Sequence, residues 1–366
     1  MPSPRFSVLL PTHDRADVVG CAIRSVLGQS DQDFEILVVG DGCTDETGAV
    51  ISGFGDPRIR WFDLPKAPFF GYANRNIALR EARGELIAFM AHDDLLLPDH
   101  LHQLGALFDA GTVEWAYSRP AWVADDGVIV PFAVDLRDPV QLTFFLEVGN
   151  SIPASCVMYR KTCLDRYGYW PEDVPGAADW EHWRTMIRPS HGANIAYLPA
   201  ATALHFRANW RDPARWGPAP LHRWLGIAAD TARWPRALQT VHTPGEPSQV
   251  SILRAIEVDP VRWTDTMRDG IARAMDLLAW AQGADLDRID EALGQARTDA
   301  GRWQGEAAAA AALADESARA AEASERAAEV AAAEAQSARV ELDALCASRS
   351  WRLTAPLRRT RATLRR

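Results

Sequence analysis

The sequence predicts an α/β fold with a mostly parallel, Rossmann-like sheet, followed by an α-helical extension and a long C-terminal helix. Three observations carry this. Apolar runs at 6–11, 34–40 and 85–91 are continuous rather than alternating, the mark of strands buried on both faces. Stretches of helical period separate them, and strand–helix repetition of this kind builds a parallel sheet. Between 286 and 345, eighteen positions at three–four spacing carry no charge, which reads as the seam of one long helix.

Taken in order, FSVLLP (6–11) is a short buried strand ending on Pro. Residues 14–29 place Val18, Val19, Ala22, Ile23, Val26 and Leu27 on one helical face. FEILVVG (34–40) is a second buried strand, and the turn-rich DGCTDET after it opens a helix near Thr44, with Thr44 as its cap. RIRWFDL (58–64) alternates like a third strand, and GYANRNIALREAR (71–83) is a helix stopped by Gly84. ELIAFMA (85–91) is a fourth buried strand that runs into His92-Asp93-Asp94. Beyond it, WAYSRPAWV, GVIVPFAV and IAYLPAATALHF read as strand regions. SCVMYRKTCLDRYG reads as a strand entering a short helix, and DWEHWRTMI (179–187) as an amphipathic helix. Residues 212–283, rich in Pro, Trp and Arg, read as helical. The expected organisation is a domain at 1–212, a helical extension at 213–283, an Ala-rich helix at 284–347 and a basic tail at 348–366.

Composition narrows the function. With 48% hydrophobic and 24% charged residues, the 366-residue chain can bury a core, so global disorder is excluded. The net charge of −10 hides an asymmetry: residues 349–366 hold seven arginines and no acid, so the other 348 carry −17. An acidic body is a poor nucleic-acid binder, and no nucleic-acid partner is expected. Only Lys66 and Lys161 are lysines among 39 basic residues, so forked arginine contacts are the available means of holding phosphate. Five scattered cysteines without a CxxC pair fit a reduced compartment. The opening MPSPRFSVLLPTHDR does not read as a signal peptide, and no transmembrane run occurs, so a cytoplasmic protein is expected.

The C-terminal part is a separate object. From 306 to 345, 19 of 40 residues are Ala, and the uncharged seam passes through Leu286, Ile289, Leu293, Trp303, Leu342 and Leu345. A coiled coil is expected, either between copies of the chain or folded back on it. An isolated helix stable by propensity is the alternative. Ala knobs bury little area, so pairing is weak per heptad. The tail SRSWRLTAPLRRTRATLRR joins Trp351, Leu353 and Leu357 to its arginines, a composition suited to an anionic membrane surface or to a solvated basic end.

Two clusters carry chemistry. Adjacent carboxylates Asp93 and Asp94 at a buried strand's end need a positive partner. A divalent Mg or Mn ion, bound by one or two carboxylates plus substrate phosphate, supplies it; a helix N-cap at Asp94 is the alternative. In VVGDGCTDET, Asp41 can accept from a ribose hydroxyl or base N–H, or make an ordinary Asx turn.

Together the signals resemble the family-two inverting glycosyltransferases of GT-A fold. Typical members read V-x-x-P-T-Y-N-R, then V-D-D-G-S-x-D-x-T. They continue G-x-x-x-A-R-N-x-G-x-x-x-A-x-G-E-Y-I-x-F-L-D-x-D-D, with a later E-D-W-type motif. This chain supplies Pro11, Thr12 and Arg15; Asp41, Gly42, Thr44, Asp45 and Thr47; Gly71, Asn74, Arg75, Asn76, Ala82, Gly84 and Glu85; Phe89, Asp93 and Asp94; and Asp179 with Trp180. The resemblance covers about residues 5–210. Gly40, Ala91 and Ala178 depart from it, each replacing the first acid of a pair or motif whose last Asp survives.

The resemblance implies the GT-A nucleotide-diphospho-sugar transferase fold and transfer of a sugar from a nucleotide-sugar donor to a hydroxyl of a glycan or lipid-linked glycan, in bacterial surface polysaccharide assembly. It implies that Pro11, Thr12, Arg15, Asp41, Arg75 and Asp93 contact the nucleotide-sugar. Asp93 and Asp94, with His205, hold Mn or Mg, and Asp179 is the general base. Each has a plainer alternative: Arg75 as a surface helix residue, Asp179 as a helix cap, His205 as a structural histidine. His92 is expected to make local hydrogen bonds, and Trp180, Trp183, Trp210 and Trp216 to be mostly core, with sugar stacking the alternative. Processive members carry Q-x-x-R-W; here Pro220-Leu221-His222-Arg223-Trp224 lacks the Gln, so a non-processive enzyme is expected. Rivals are a nucleotidyltransferase, which would need a glycine-rich loop that PTHDR lacks, and a catalytically degenerate GT-A domain acting as a scaffold through its coiled coil.

Overall fold

The computed structural model describes residues 3–150, 152–206, 228, 232–240 and 243–347, the side chains of most positions between 282 and 310 excepted. It divides into two compact units, Met1–Gln282 and Gly283–Arg366. The basic tail, Trp210, Trp216 and Pro220–Trp224 lie outside the described residues.

The first unit is built on a seven-stranded sheet. Its strands are β1 (Phe6–Thr12), β2 (Phe34–Asp41), β3 (Ile59–Leu64), β4 (Leu86–Phe89), β6 (Trp115–Ser118), β9 (Val157–Arg160) and β10 (Ile195–Leu198), in the order β10-β6-β9-β4-β1-β2-β3. β4, β1, β2 and β3 run parallel; β9 is antiparallel to both neighbours, and β10 is parallel to β6. The apolar runs sit where full burial requires: every residue of β2 and β4 is buried. Helices α1 (Val19–Leu27), α2 (Thr47–Ser52) and α3 (Tyr72–Arg80) connect the parallel strands. The expected α/β architecture, with its helical C-terminal region and long helix, is present.

Several boundaries moved for physical reasons. Helix α1 starts at Val19 rather than 14 because Asp14 sits at φ +48, a left-handed conformation that interrupts helix. Helix α2 starts at Thr47, and Thr44 does not cap it; its hydroxyl lies 3.3 Å from the Asp14 carboxylate instead. WAYSRPAWV and IAYLPAATALHF each break into two strands around Pro120 and Pro199. The second halves, β7 (Ala121–Val123) and β11 (Ala203–Phe206), join β5 (Leu95–Leu96) and β8 (Ile129–Pro131) in a separate sheet ordered β5-β11-β7-β8. Proline cannot donate to a ladder, so a strand that continues past it does so in a new pairing.

Helix α5 (Pro139–Glu147) went unread in the sequence. It is set by Asp138, whose side chain accepts from Val140 N and Gln141 N, with Pro at the first position. α4 (His100–Ala106), α6 (Thr162–Tyr167) and α7 (Ala178–Ile187) complete the domain. Of the 212–283 region, the described part forms α8 (Ser248–Val258) and the start of α9 (Pro260–Ala347), which pack Ile252, Leu253, Ile256, Met267 and Leu278 against Leu95, Val123, Ile129 and Phe206 of the smaller sheet. A bidentate Arg268–Asp99 pair at 2.7 and 2.8 Å adds to that join. In the second unit, every residue from 311 to 344 is an exposed helical residue, the seam positions 314–342 included.

Candidate active site

Most of the candidate side chains lie at the carboxyl ends of β1, β2 and β4. After β1, Asp14 takes φ +48, which Asp tolerates better than most residues. Its carboxylate accepts from the backbone N–H of Thr44 (2.6 Å) and Asp45 (3.3 Å). The Thr44 N–H is the main cause that holds the Asp14 carboxyl below the ordinary range. Asp45 answers by accepting from Ala16 N (3.1 Å), and Thr47 Oγ1 accepts from Arg15 N (2.8 Å). The loops after β1 and β2 are thus clasped in both directions through Asp14, Asp45 and Thr47.

The clasp aims Arg15 at the loop after β4. Its guanidinium lies 3.5 Å from Asp93 Oδ2 and 3.4 Å from His92 Nε2. Arginine has no acceptor, so His92 Nε2 accepts and the ring proton sits on Nδ1. That Nδ1 is buried without a hydrogen-bond partner, and burial holds His92 neutral by pushing its pKa down. Thr12, only 3% exposed, likewise buries an Oγ1 with no partner. Pro11 lies opposite Val39 in the β1–β2 ladder. Both unpaired atoms lie at the same sheet edge, where acceptors from a bound ligand would complete their bonding.

Asp41 is on the opposite face from Thr12. The register sets Thr12 against Gly40, and successive residues of a strand alternate faces. The Asp41 carboxylate accepts from Lys66 Nζ (2.6 Å), Ala67 N (2.9 Å) and Asn74 Nδ2 (2.8 Å). Gly71, at φ +71, packs so tightly that a Cβ there would fall 2.5 Å from the Asp41 Cγ. Lys66 had no role in the sequence reading; its being one of two lysines was the available signal. Gly40 has a structural cause: a Cβ would meet the Trp61 ring at 2.4 Å, so the indole fills the space a second aspartate would take.

Asp94 is fully buried and its oxygens accept from Ser155 Oγ (2.6 Å), His205 Nδ1 (2.9 Å) and Phe206 N (3.0 Å). It caps no helix. The structure therefore brings Asp94 and His205 together and pairs Asp93 with Arg15. Asp94 has both oxygens engaged and fits behind His205, fixing its tautomer as outer carboxylates do for metal-bound histidines. Asp93 is the carboxylate of the pair whose chemistry fits a cation that draws its other oxygens from phosphate.

Arg75 lies over the Tyr72 ring (5.0 Å) and the Trp170 ring (5.1 Å), a half-buried cation on two aromatic faces. Trp170 is fixed by a reciprocal amide pair with Asn76 (2.8 and 3.1 Å). Asp179 stands in the first turn of α7 rather than at its cap, which is Ala177 at φ +55; Asp179 Oδ1 accepts from Trp180 N (2.9 Å). Ala178 is fully buried. Trp183 is core, and Trp180 packs against the core with its Nε1 donating to Phe145 O.

The glycosyl transferase family 2 model matches residues 7–134. An uncharacterised protein of Mycobacterium tuberculosis is 34% identical over 54% of this chain and 65% of its own length. GalNAc(5)-diNAcBac-PP-undecaprenol beta-1,3-glucosyltransferase of Campylobacter jejuni is 34% identical over 28% of this chain and 33% of its own length. The chain therefore spans less than two thirds of these relatives. Among solved structures, S. aureus TarS 1–349 in complex with UDP-GlcNAc is similar at 19% identity and TM-score 0.48, over 70% of this chain and 72% of that one.

Proposed function

The chain carries a glycosyl transferase family 2 domain over residues 7–134, and on that premise we propose that it transfers a glycosyl unit from a nucleotide-sugar to an acceptor hydroxyl with inversion. The observation that carries the reading is the Arg15–Asp93 pair beside the orphaned Thr12 hydroxyl and His92 Nδ1 at the carboxyl ends of β1 and β4. A nucleoside diphosphate supplies the missing acceptors and the negative charge that Arg15 and Arg75 can offset. Asp41, with three protein donors already on it, has room for one more from ribose or base.

In the reaction, the Asp179 carboxylate takes the proton of the acceptor hydroxyl as its oxygen attacks the anomeric carbon. The bond from that carbon to the diphosphate oxygen breaks on the opposite side, which gives inversion. A Mn or Mg ion, held by Asp93 and His205 with Asp94 behind, supplies charge neutralisation to the leaving diphosphate when bound. The acceptor is a glycan or lipid-linked glycan in bacterial surface polysaccharide assembly, and the enzyme adds one or a few sugars; the undecaprenol-linked acceptor in the Campylobacter relative's name supports the lipid-linked part. Among the described residues no helix is long and apolar enough to cross a membrane. We place the enzyme in the cytoplasm at the inner face of the membrane, held by the basic tail and paired with a second copy through the Ala-rich seam.

The test is a thermal-shift panel of UDP, GDP, dTDP and CMP with manganese and with EDTA, followed by nucleotide release from the matching sugar donor. A ligand of the native state raises the melting temperature by mass action. One nucleotide stabilising only with metal, and turnover lost in Asp179→Asn, are the expected results. No shift and no turnover would replace the enzyme by the scaffold reading.

A further inference from the structure

Beside the donor crevice, on the clasp itself, three side chains converge that the proposed chemistry does not use. One ligand atom each from His13, Asp14 and Cys43 lies within 4.8 Å of the others. The geometry points to a binding site for a borderline-soft divalent cation of the zinc class, taking His13 nitrogen, Asp14 oxygen and Cys43 sulfur, with the fourth position open.

Four observations support it. His13 Nε2 and Asp14 Oδ2 are 3.6 Å apart, with side chains 42% and 37% exposed. A tetrahedral zinc with bonds of about 2.0–2.2 Å sets such a nitrogen and oxygen about 3.3–3.6 Å apart, so little movement is needed. The Asp14 carboxylate is already oriented, because Oδ1 accepts from Thr44 N and Asp45 N while Oδ2 lies between Thr44 Oγ1 (3.3 Å) and His13 Nε2 (3.6 Å); outer-shell bonds of this kind prepare a metal ligand. Cys43 Sγ makes a long 3.8 Å contact with Thr12 O and is not oxidised to a disulfide. Finally, His13 and Asp14 meet Cys43 although 28 residues of chain lie between Asp14 and Cys43.

A His–carboxylate–thiolate set selects differently from the oxygen-rich Asp93 site. Imidazole and thiolate suit zinc and cobalt, whereas carboxylate and phosphate suit Mg and Mn. Binding forms the metal–sulfur bond and releases the Cys43 thiol proton to solvent. Bound there, the cation ties the loop after β1 to the loop after β2 and braces the backbone that aims Arg15.

The test titrates the full chain with Co(II) and reads the sulfur-to-cobalt charge-transfer band and the intense visible bands of a tetrahedral ion. The expected result is a one-to-one titration, reversed by Zn(II). The band is abolished in Cys43→Ser, with folding checked by circular dichroism, and kept in Cys346→Ser. In His13→Ala and Asp14→Asn, affinity falls by at least the ~10–100-fold that outer-shell changes cost. No charge-transfer band in the wild-type chain, or a band that survives Cys43→Ser, would overturn the assignment.

Discussion

The two ends of the same parallel strands are built on opposite terms. At the amino ends, Glu35, only 1% exposed, accepts from Ser7 Oγ (2.7 Å), Arg83 N (2.7 Å), Arg83 Nε (2.8 Å) and Arg60 Nη1 (3.1 Å). Gly84 N in turn donates to Ser7 Oγ, and a Cβ on Gly84 would strike the Phe6–Ser7 backbone at 2.5 Å. At the carboxyl ends, Thr12 Oγ1 and His92 Nδ1 are buried without partners. Three of the four non-glycine residues with positive φ among the described residues, Asp14, Phe69 and Ala177, sit within two positions of Arg15, Gly71 and Asp179. A closed hydrogen-bond network stabilises the amino ends, whereas unpaired polar atoms and left-handed residues gather beside the candidate site.

This contrast can be broken by substitution, and the largest effect is expected at the carboxyl end. Asp179→Asn should lower turnover about 10²–10⁴-fold with an unchanged melting temperature, measured by nucleotide release; an equal loss of stability would make Asp179 structural. At the amino end, Glu35→Ala should cost about 3 kcal/mol in urea unfolding, because it removes the shared acceptor of a buried network, while activity per folded molecule stays constant. The same carboxyl gives a pH test. Burial raises its pKa, but the bonds from Arg83, Ser7 and Arg60 together win and leave it lowered. Its contribution is therefore present above the ordinary glutamate value of 4.5 and lost as pH falls through the folded value, and Glu35→Gln should flatten that loss.

A smaller effect is expected at Gly40. Restoring the usual acid with Gly40→Asp should destabilise by about 1–3 kcal/mol because the side chain meets Trp61, and Trp61→Val in the same chain should recover most of it. Buried histidines give a further acid-side slope. Burial holds His100 at about 4 and His182 at about 3. The unfolded chain takes up these protons first as pH drops below 6.5, so stability should fall by about 1.4 kcal/mol per unit per histidine until the folded values are reached. Chemical unfolding across pH 7 to 4 reads this slope directly, and Tyr or Leu at either position should remove its share. The smallest stability change belongs to Thr12→Val. Removing an orphan hydroxyl should leave stability within about 1 kcal/mol or raise it, while nucleotide affinity drops about tenfold. A stability loss there instead would mean the hydroxyl is already satisfied.

Much of the site was legible because its residues are local. Asp41, Asp93 and Asp94 follow closely on apolar runs, and a run that ends on acids in a parallel sheet points to the edge where ligands bind. The roles were less legible than the residues. Asp93 and Asp94 are neighbours in sequence, yet one faces Arg15 and the other is consumed by His205, Phe206 and Ser155 from distant parts of the chain. Lys66 on Asp41 and Trp61 over Gly40 are pairings across strands and loops that no spacing encodes.

The sequence by itself determined the strands, the order of the parallel units, the positions of the acids and the long Ala-rich helix, because burial and helical period are written one residue at a time. Only the tertiary structure decided that Pro120 and Pro199 divide strand regions between two sheets, that Asp94 serves His205, and that His13, Asp14 and Cys43 meet. Those outcomes depend on which distant donors reach a buried carboxylate once the sheet has closed, and a chain records its neighbours in sequence but not its neighbours in space.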